Sequence, residues 1–393
     1  MKPTSAVTLA IVAVAACVGE QGEPLAVAQR DTLPGGIVAV HSPGPTGWHD
    51  TLGWKLIPDG RVGGALDEPG ELVNPQSIAL DDAGNLYVAD QQPAVIKLFA
   101  PDGRFVRTIG REGQGPGEFV TAFISARGGR LAVQDPRNSR LSLFDSAGTF
   151  IRSWSSGCCI WAPIQFDRQH RVYVPAMSGP DADASYRYVR YDTLGVAIDT
   201  VAVPEGEEPK MWTVKAGDQL QMMTPVPFTP QMRHAVAPDG SIVFGWTGEY
   251  RLVRTDGHDT LGVMSRDWTP DPLSEDRRQR HVDGMVERMG PGMDEVALRN
   301  SFPVGEIPST LPAFAELNVD GGGNIWLTTD SDSASARFDV FSPEGAWLGR
   351  VTIPESFEPF NPTAWGADRL YVAREDTDGV PYIARYRIAR NVE

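Results

Sequence analysis

The sequence repeats one short pattern six times, and this repeat limits how the chain can fold more than any other feature. In the first copy, Ser77–Asp90, an apolar strand is followed by a tight turn and a second apolar strand. The second strand recurs with its first residue at Leu86, Leu131, Val172, Ile242, Ile325 and Leu370. The intervals are 45, 41, 70, 83 and 45 residues. The shorter intervals match the period of a four-stranded repeat unit.

Two further strands around a second turn follow most copies of the pattern. These turns combine an acidic or polar residue with glycine, which is the chemistry of a tight hairpin. They lie in Lys97–Val106, Leu143–Phe150, Tyr191–Val196, Asp259–Val263 and Phe341–Ala346. Each unit is therefore predicted to be four antiparallel strands, the blade of a propeller. The predicted fold class is all-β, a six-bladed β-propeller.

The two ends of the chain are predicted to share one blade. The sixth copy stops at Glu393 without a fourth strand, whereas Asp50–Ile57 supplies a turn and a strand before the first copy. Closing the ring with this N-terminal strand would remove an exposed sheet edge. We therefore expect one propeller domain over 34–393 rather than two domains.

Two linkers between repeats carry a resemblance to a known family. Gly110–Phe119, followed by a strand pair ending at Asp135, resembles the NHL repeat with its G-x-G-P-G-x-F linker and L-Y-V-A-D strand. Glu68–Pro75 is a degenerate second linker, and the resemblance extends over about 54–388. It implies an NHL-like propeller. Such propellers include ligand-binding modules and a few enzymes, so the family implies the fold without its chemistry.

The N-terminus indicates export. The uncharged apolar run Ala6–Ala16 fits a signal-peptide core and is too short to span a bilayer. It ends in Val-Ala-Ala before Cys17, which resembles the lipobox of bacterial lipoproteins. We expect residues 1–16 to be removed, Cys17 to be acylated and 17–33 to be a flexible tether. The alternative is an ordinary signal peptide cut nearby. Both place the protein outside the cytoplasm, and lipidation would place it in the cell envelope, facing the periplasm or the outer surface.

Charge excludes some classes of partner. With 35 basic and 51 acidic residues, the formal net charge is −16. Nucleic acid requires a concentrated basic surface, and anionic lipid headgroups are disfavoured for the same reason. Any membrane attachment is therefore expected to rest on the acyl anchor alone.

Two long connections between blades mark the predicted functional face. These insertions, at about 202–231 and 264–312, are both outer-to-inner strand connections and so belong to the same face of the ring. The larger one should contain a small helical segment near 272–300, with Ser274 as N-cap and a second helix after Asp294. We expect a non-catalytic module that binds a small molecule, a glycan or a protein through this face. The alternative is that the insertions only pack on the rim.

A second functional hypothesis is a channel-metal hydrolase or lyase of the lactonase or amidating-lyase type, with calcium or zinc. The histidines show no closely spaced pair, and only His234 is expected to face the channel. Oxygen ligands from inner strands would suit calcium. The residues that could line the channel or bind a ligand are Asn74, Gln76, Gln165, His234, Glu316 and Asn318. Inward polar residues are also ordinary in a solvated channel.

Recurring aspartates and one cysteine pair complete the candidates. Asp90, Asp135 and Asp330 stand at strand ends, where they are expected to brace turns through backbone N–H groups. Cys158 and Cys159 could form a vicinal disulfide in an oxidising compartment, although their spacing requires strain. Two free thiols are the alternative.

Overall fold

The computed structural model describes residues 28–44, 53–64, 68–156, 162–177, 186–204, 206–216, 220–289, 294–331, 335–357 and 361–390. Six antiparallel sheets are arranged as blades around a central axis, and the innermost strands of several neighbouring blades contact one another. The predicted six-bladed β-propeller is confirmed.

Each blade contains four antiparallel strands, labelled a to d from the axis outward. Blade 1 has Pro75–Leu80, Leu86–Gln91, Ala94–Phe99 and Phe105–Ile109; blade 2 has Phe123–Arg127, Arg130–Asp135, Arg140–Asp145 and Phe150–Ser155; blade 3 has Gln165–Phe166, Val172–Met177, Tyr186–Tyr191 and Ala197–Ala202; blade 4 has Met232–Val236, Ile242–Trp246, Arg251–Thr255 and Thr260–Arg266; blade 5 has Glu316–Val319, Ile325–Ser331, Ala336–Phe341 and Trp347–Ile353; blade 6 has Thr363–Trp365, Arg369–Glu375, Pro381–Ala389 and Lys55–Val62.

The N-terminal strand closes blade 6, as predicted. Lys55–Val62 pairs antiparallel with Pro381–Ala389, from Lys55 opposite Ala389 to Val62 opposite Ile383. Leu56 is buried in the core that also contains Trp326. The closing strand therefore contributes both backbone hydrogen bonds and apolar contacts to the last blade.

Blade 4 carries two additional strands that the sequence did not indicate. Gln29–Leu33 and Ile37–Ser42 form a hairpin, and its second strand pairs parallel with Thr260–Arg266. The sheet thus begins at Gln29, within the segment 17–33 that was expected to be tether. The earlier strand is exposed along its whole length, so it lacks the apolar alternation by which a strand is recognised. Cys17 and the expected signal peptide lie outside the described residues.

The ring has two unlike faces. We call the face with the d-to-a connections and b-to-c loops the upper face, and the face with the a-to-b and c-to-d turns the lower face. Lower-face turns are short, and several are held by an aspartate side chain that accepts backbone N–H groups. Asp81 accepts from Asn85, Asp167 from Arg171 and Asp320 from Asn324, each at 2.9 Å. This local bonding explains why these turns are compact.

The insertions account for the helices and for one hairpin. The smaller insertion forms the hairpin Met211–Ala216 and Leu220–Pro225, and the larger forms α1 (Glu275–Met289), α2 (Glu295–Asn300) and the 3₁₀ turn Val304–Glu306. The helices confirm the helical segment predicted near 272–300. Arg277 N donates to Ser274 Oγ at 3.3 Å, and Asp294 accepts from two backbone N–H groups of α2.

Short elements also occur between and within blades 1 and 2. Arg111–Glu112 pairs parallel with Glu118–Phe119, and Pro136–Asn138 forms a 3₁₀ turn. Among the residues that the structure describes, no helix has both the length and the apolar character needed to cross a bilayer.

Candidate functional site

The two long insertions pack together into one unit, which we call the insertion subdomain (206–216, 220–231 and 272–311). Trp212 from the hairpin lies against Phe302, with ring centroids 5.4 Å apart. Its indole N–H donates to Glu306 Oε2 at 3.0 Å. The shared core contains Trp212, Val214, Val226, Leu273, Val282, Val286, Leu298, Phe302, Ile307 and Leu311. The insertions therefore form a structured element of the upper face with a core of its own.

Arg277 on α1 fastens the insertion subdomain to blade 5. Its guanidinium forms an ion pair with Asp330 and donates to the Ser331 carbonyl at 2.9 Å. Arg337 pairs with the same carboxylate. Burial would raise the pKa of Asp330, but hydrogen bonds from both arginines outweigh burial and lower it. Asp330 is therefore charged at neutral pH and acts as an anchor point.

This role corrects the prediction that Asp330 braces a turn. The prediction holds for the other two recurring aspartates: Val73 N donates to Asp90 at 3.0 Å, and Val120 N donates to Asp135 at 2.9 Å. At Asp330, two arginines take the carboxylate oxygens instead. One of them, Arg277, belongs to the larger insertion.

A cavity opens where both ends of the larger insertion meet blades 4 and 5, and we call it the root cavity. Its volume is about 320 Å³. It is lined by Gly44, Tyr250, Arg266, Asp267, Trp268, Thr269, Asp271, Pro312, Ala313, Thr329 and Arg350. The lining thus brings together four parts of the chain that are distant in sequence: the N-terminal hairpin's end, blade 4, the insertion's roots and blade 5.

A buried carboxylate organises the floor of the root cavity. Asp339 is fully buried, and Arg350 donates to both of its oxygens, at 2.8 and 3.2 Å. Arg266 and the Tyr250 hydroxyl also bind Asp339. The Arg266 guanidinium stacks 3.7 Å from the centre of the Trp347 ring. Both arginines are therefore held in fixed positions before any ligand arrives.

Two groups at the floor, Tyr250 and Arg350, keep their protonation states around neutral pH. Burial, together with the adjacent Asp339, raises the pKa of Tyr250 well above its usual value. Burial would lower the pKa of Arg350, but its hydrogen bond and charge interaction with Asp339 raise it instead. At the mouth, Asp267 and Asp271 are 67% and 60% exposed. The cavity therefore offers fixed donors and acceptors beside the aromatic ring of Trp268.

A larger cavity of about 620 Å³ lies between blades 1 and 2 on the upper face. Its lining is rich in amides and includes one predicted residue, Asn74. The other lining residues are Gln91, Gln92, Pro93, Ala94, Glu112, Val120 and Arg137. It lies across the ring from the insertion subdomain, which arises after blades 3 and 4.

Gln165, another predicted channel residue, joins two blades. Its side-chain oxygen accepts Val236 N at 3.0 Å. Ser77 and Ser125 act in the same way between blades 1 and 2 and between blades 2 and 3, accepting Ile124 N at 3.1 Å and Phe166 N at 2.9 Å. These residues satisfy inner-strand N–H groups that face the next blade. The role of Gln165 is therefore structural.

The remaining channel candidates do not converge on one site. Glu316 pairs with Arg233 at 3.2 Å, and burial raises its pKa. His234 Nδ1 lies 3.0 Å from the Tyr188 hydroxyl, and burial with the nearby Arg233 lowers its pKa to about 4. Gln76 is the unpaired residue of a β-bulge, and Asn318 lies opposite Trp326 in blade 5.

The alternative of calcium or zinc in the channel stays a prediction. Gln165, His234 and Glu316 are already engaged with protein partners, and the described part of the chain contains no group of three His, Cys, Asp or Glu side chains able to hold a metal ion. Cys158 and Cys159 lie outside the described residues.

Sequence reasoning did not single out the residues that line the root cavity. Asp339 gave no distinct signal, because Arg337 and Asp339 occupy the polar positions of the alternating strand Ala336–Phe341, which are expected to face solvent. The positions of Arg266 and Arg350 could not be paired from sequence, because they lie on different blades.

Comparisons with known proteins agree with the fold. A family model described as a 6-bladed beta-propeller matches residues 68–205. A member of the duf4221 family from Bacteroides vulgatus aligns with a TM-score of 0.50 at 13% identity, over 87% of this chain and 100% of its own. A candidate exported protein of Bacteroides fragilis aligns with a TM-score of 0.51 at 11% identity, over 90% and 100%. No curated protein matches the sequence. At these identities the likeness concerns the fold alone.

Proposed function

We propose that this chain is an exported, lipid-anchored binding module that holds a small polar ligand, such as a glycan unit, in the root cavity of its upper face. The role is non-catalytic: the cavity supplies shape, hydrogen bonds and an aromatic wall. The lipobox-like sequence before Cys17 supports export and anchoring, with the anchor in the cell envelope.

The observation that carries this proposal is the fixed floor of the root cavity. Asp339 holds Arg266 and Arg350 in place, so neither guanidinium must be ordered when a ligand binds. Asp267 and Asp271 add acceptors, and Trp268 adds a ring on which an apolar face could stack. Balanced charges with one aromatic wall favour an uncharged, hydroxyl-rich ligand over a strong anion.

The test is a thermal-shift panel of mono- and disaccharides, amino acids and short peptides. A true ligand at 100 times its Kd should stabilise the protein by about 2.7 kcal/mol and raise Tm measurably. Trp268→Ala should abolish that shift, because it removes the aromatic wall. Arg130→Ala, in a lower-face cavity, is the matched control and should keep the shift. An increase in Tm that persists in Trp268→Ala would contradict the proposed site, and so would a panel in which no class of compound raises Tm.

Anchoring is tested separately. Mass spectrometry of the membrane fraction should find Cys17 as the N-terminal residue with added lipid mass, and Cys17→Ser should release the protein. An unmodified mature N-terminus elsewhere would overturn the anchor without affecting the ligand site.

A further inference from the structure

The N-terminal hairpin sets where an anchor would attach to the propeller. Thr260–Arg266 follows a lower-face turn and leads into the insertion, so it runs toward the upper face. Ser42 pairs in parallel with Arg266, which places Ser42 at the upper end. Gln29 pairs antiparallel with His41 and therefore lies at the same end. The first strand of the sheet thus begins at the upper rim of blade 4.

This rim adjoins the roots of the insertion subdomain. His41 Nε2 lies 3.4 Å from Asp267, and Gly44 lines the root cavity with Trp268 and Pro312. Gln29 follows Cys17 by only 12 positions (29 − 17). Even a fully extended chain of that length spans at most about 40 Å. A bilayer holding acylated Cys17 is therefore within reach of the upper rim.

Within the described residues, the insertion subdomain leaves several large apolar side chains exposed. Met223 is 64% exposed and Val296 is 69% exposed, and both belong to this subdomain. Met211 is also exposed, and because it lies opposite Pro225 it shares a face of the hairpin with Met223. Flexible thioether side chains adapt readily to an irregular apolar surface. Exposed apolar side chains on one face of a surface hairpin can mark a contact surface.

We propose that the insertion subdomain docks on the membrane that carries the anchor, with Met223 and Val296 entering the lipid interface. This inference rests on the proposed lipid anchor. The chain's negative charge disfavours binding to anionic headgroups, so the docking depends on the short link from Cys17 and on apolar contact with zwitterionic lipid. The upper face then lies toward the bilayer, and the lower face points away from it.

The test uses the full acylated chain on phosphatidylcholine vesicles that contain a shallow doxyl-labelled quencher lipid. In a Cys158→Ser, Cys159→Ser background, Met223→Cys and Leu194→Cys are each labelled with an environment-sensitive fluorophore. Leu194 is the matched control, because it is 63% exposed and lies in a lower-face turn. The unsubstituted background should take no label if the Cys17 sulfur is acylated.

We expect the label at 223 to lose about half or more of its emission, as interfacial insertion requires, and the label at 194 to be unquenched. Vesicles that carry the protein but quench neither label, or quench 194 instead, would overturn the docking and leave the anchor intact. Protein that does not float with the vesicles would overturn the anchor, and the docking with it.

Discussion

Acid should destabilise this protein through two half-buried histidines, His234 and His281. Burial is the main cause that lowers each pKa from 6.5 to about 4, and nearby arginines add to it. His234 lies between Tyr186 and Tyr188, and His281 packs against Phe228. In the folded protein a charged ring at either position would have little contact with water, and this favours the neutral form.

The magnitude follows from the difference between folded and unfolded pKa values. Between pH 6.5 and 4 the unfolded chain binds more protons at these rings than the folded chain does. The stability contributed by the neutral rings is therefore complete above pH 6.5 and is lost as the pH falls toward 4. From pH 7.5 to 4.5, each histidine should lower the free energy of unfolding by about 2.5 kcal/mol.

Urea unfolding at both pH values measures this loss. His234→Gln retains a hydrogen-bonding group for Tyr188 but cannot titrate, so its loss between the two pH values should be smaller than the parent's by about 2.5 kcal/mol. His258→Gln is the control, since His258 is 68% exposed in a lower-face turn. If His234→Gln loses as much stability in acid as the parent and the control, the argument from burial is wrong.

Three further predictions concern packing. Asp339→Asn should lower the free energy of unfolding in urea by about 3 kcal/mol or more, because it leaves two arginines without their buried carboxylate; a loss near zero would contradict this. Arg277→Met should make limited proteolysis of 264–312 roughly tenfold faster and change Tm little. Arg280→Met, at an exposed position of the same helix, should leave the proteolysis rate unchanged. Equal proteolysis rates for the two variants would refute the anchoring role of Arg277. Deleting 18–62 should lower Tm by several degrees more than deleting 18–52, or cause aggregation, because only the longer deletion removes the closing strand. Matching melting curves for the two deletions would contradict the role of that strand in closing blade 6.

The fold could be predicted because its determinants are local and repeated. Each turn combines a polar or acidic residue with glycine, as at Asp81–Asn85, and each strand pair follows at a similar spacing. The closing strand was predictable for the same reason, since a turn at Asp50 and a strand after it were left without a partner. Ser274 and Asp294 likewise indicated where the two helices begin, because such residues commonly cap a helix N-terminus.

The site could not be predicted, because it depends on contacts between distant segments. The hairpin at Gln29–Ser42 is held by backbone pairing, and its first strand has no apolar face. The two insertions join through Trp212 and Phe302, which lie 90 residues apart in the sequence (302 − 212). Asp339 brings two arginines together from different blades. None of these pairings leaves a periodic signal in one sequence.

Amide hydrogen exchange, with and without a compound that shifts Tm in the panel, tests the proposed binding site most directly. Bound ligand should slow exchange at Arg266–Asp271 and near Ala313 and Arg350, the backbone around the root cavity. Lower-face turns such as Asp192–Val196 should exchange at an unchanged rate. Protection confined to the lower face, or to the cavity between blades 1 and 2, would contradict ligand binding at the root cavity.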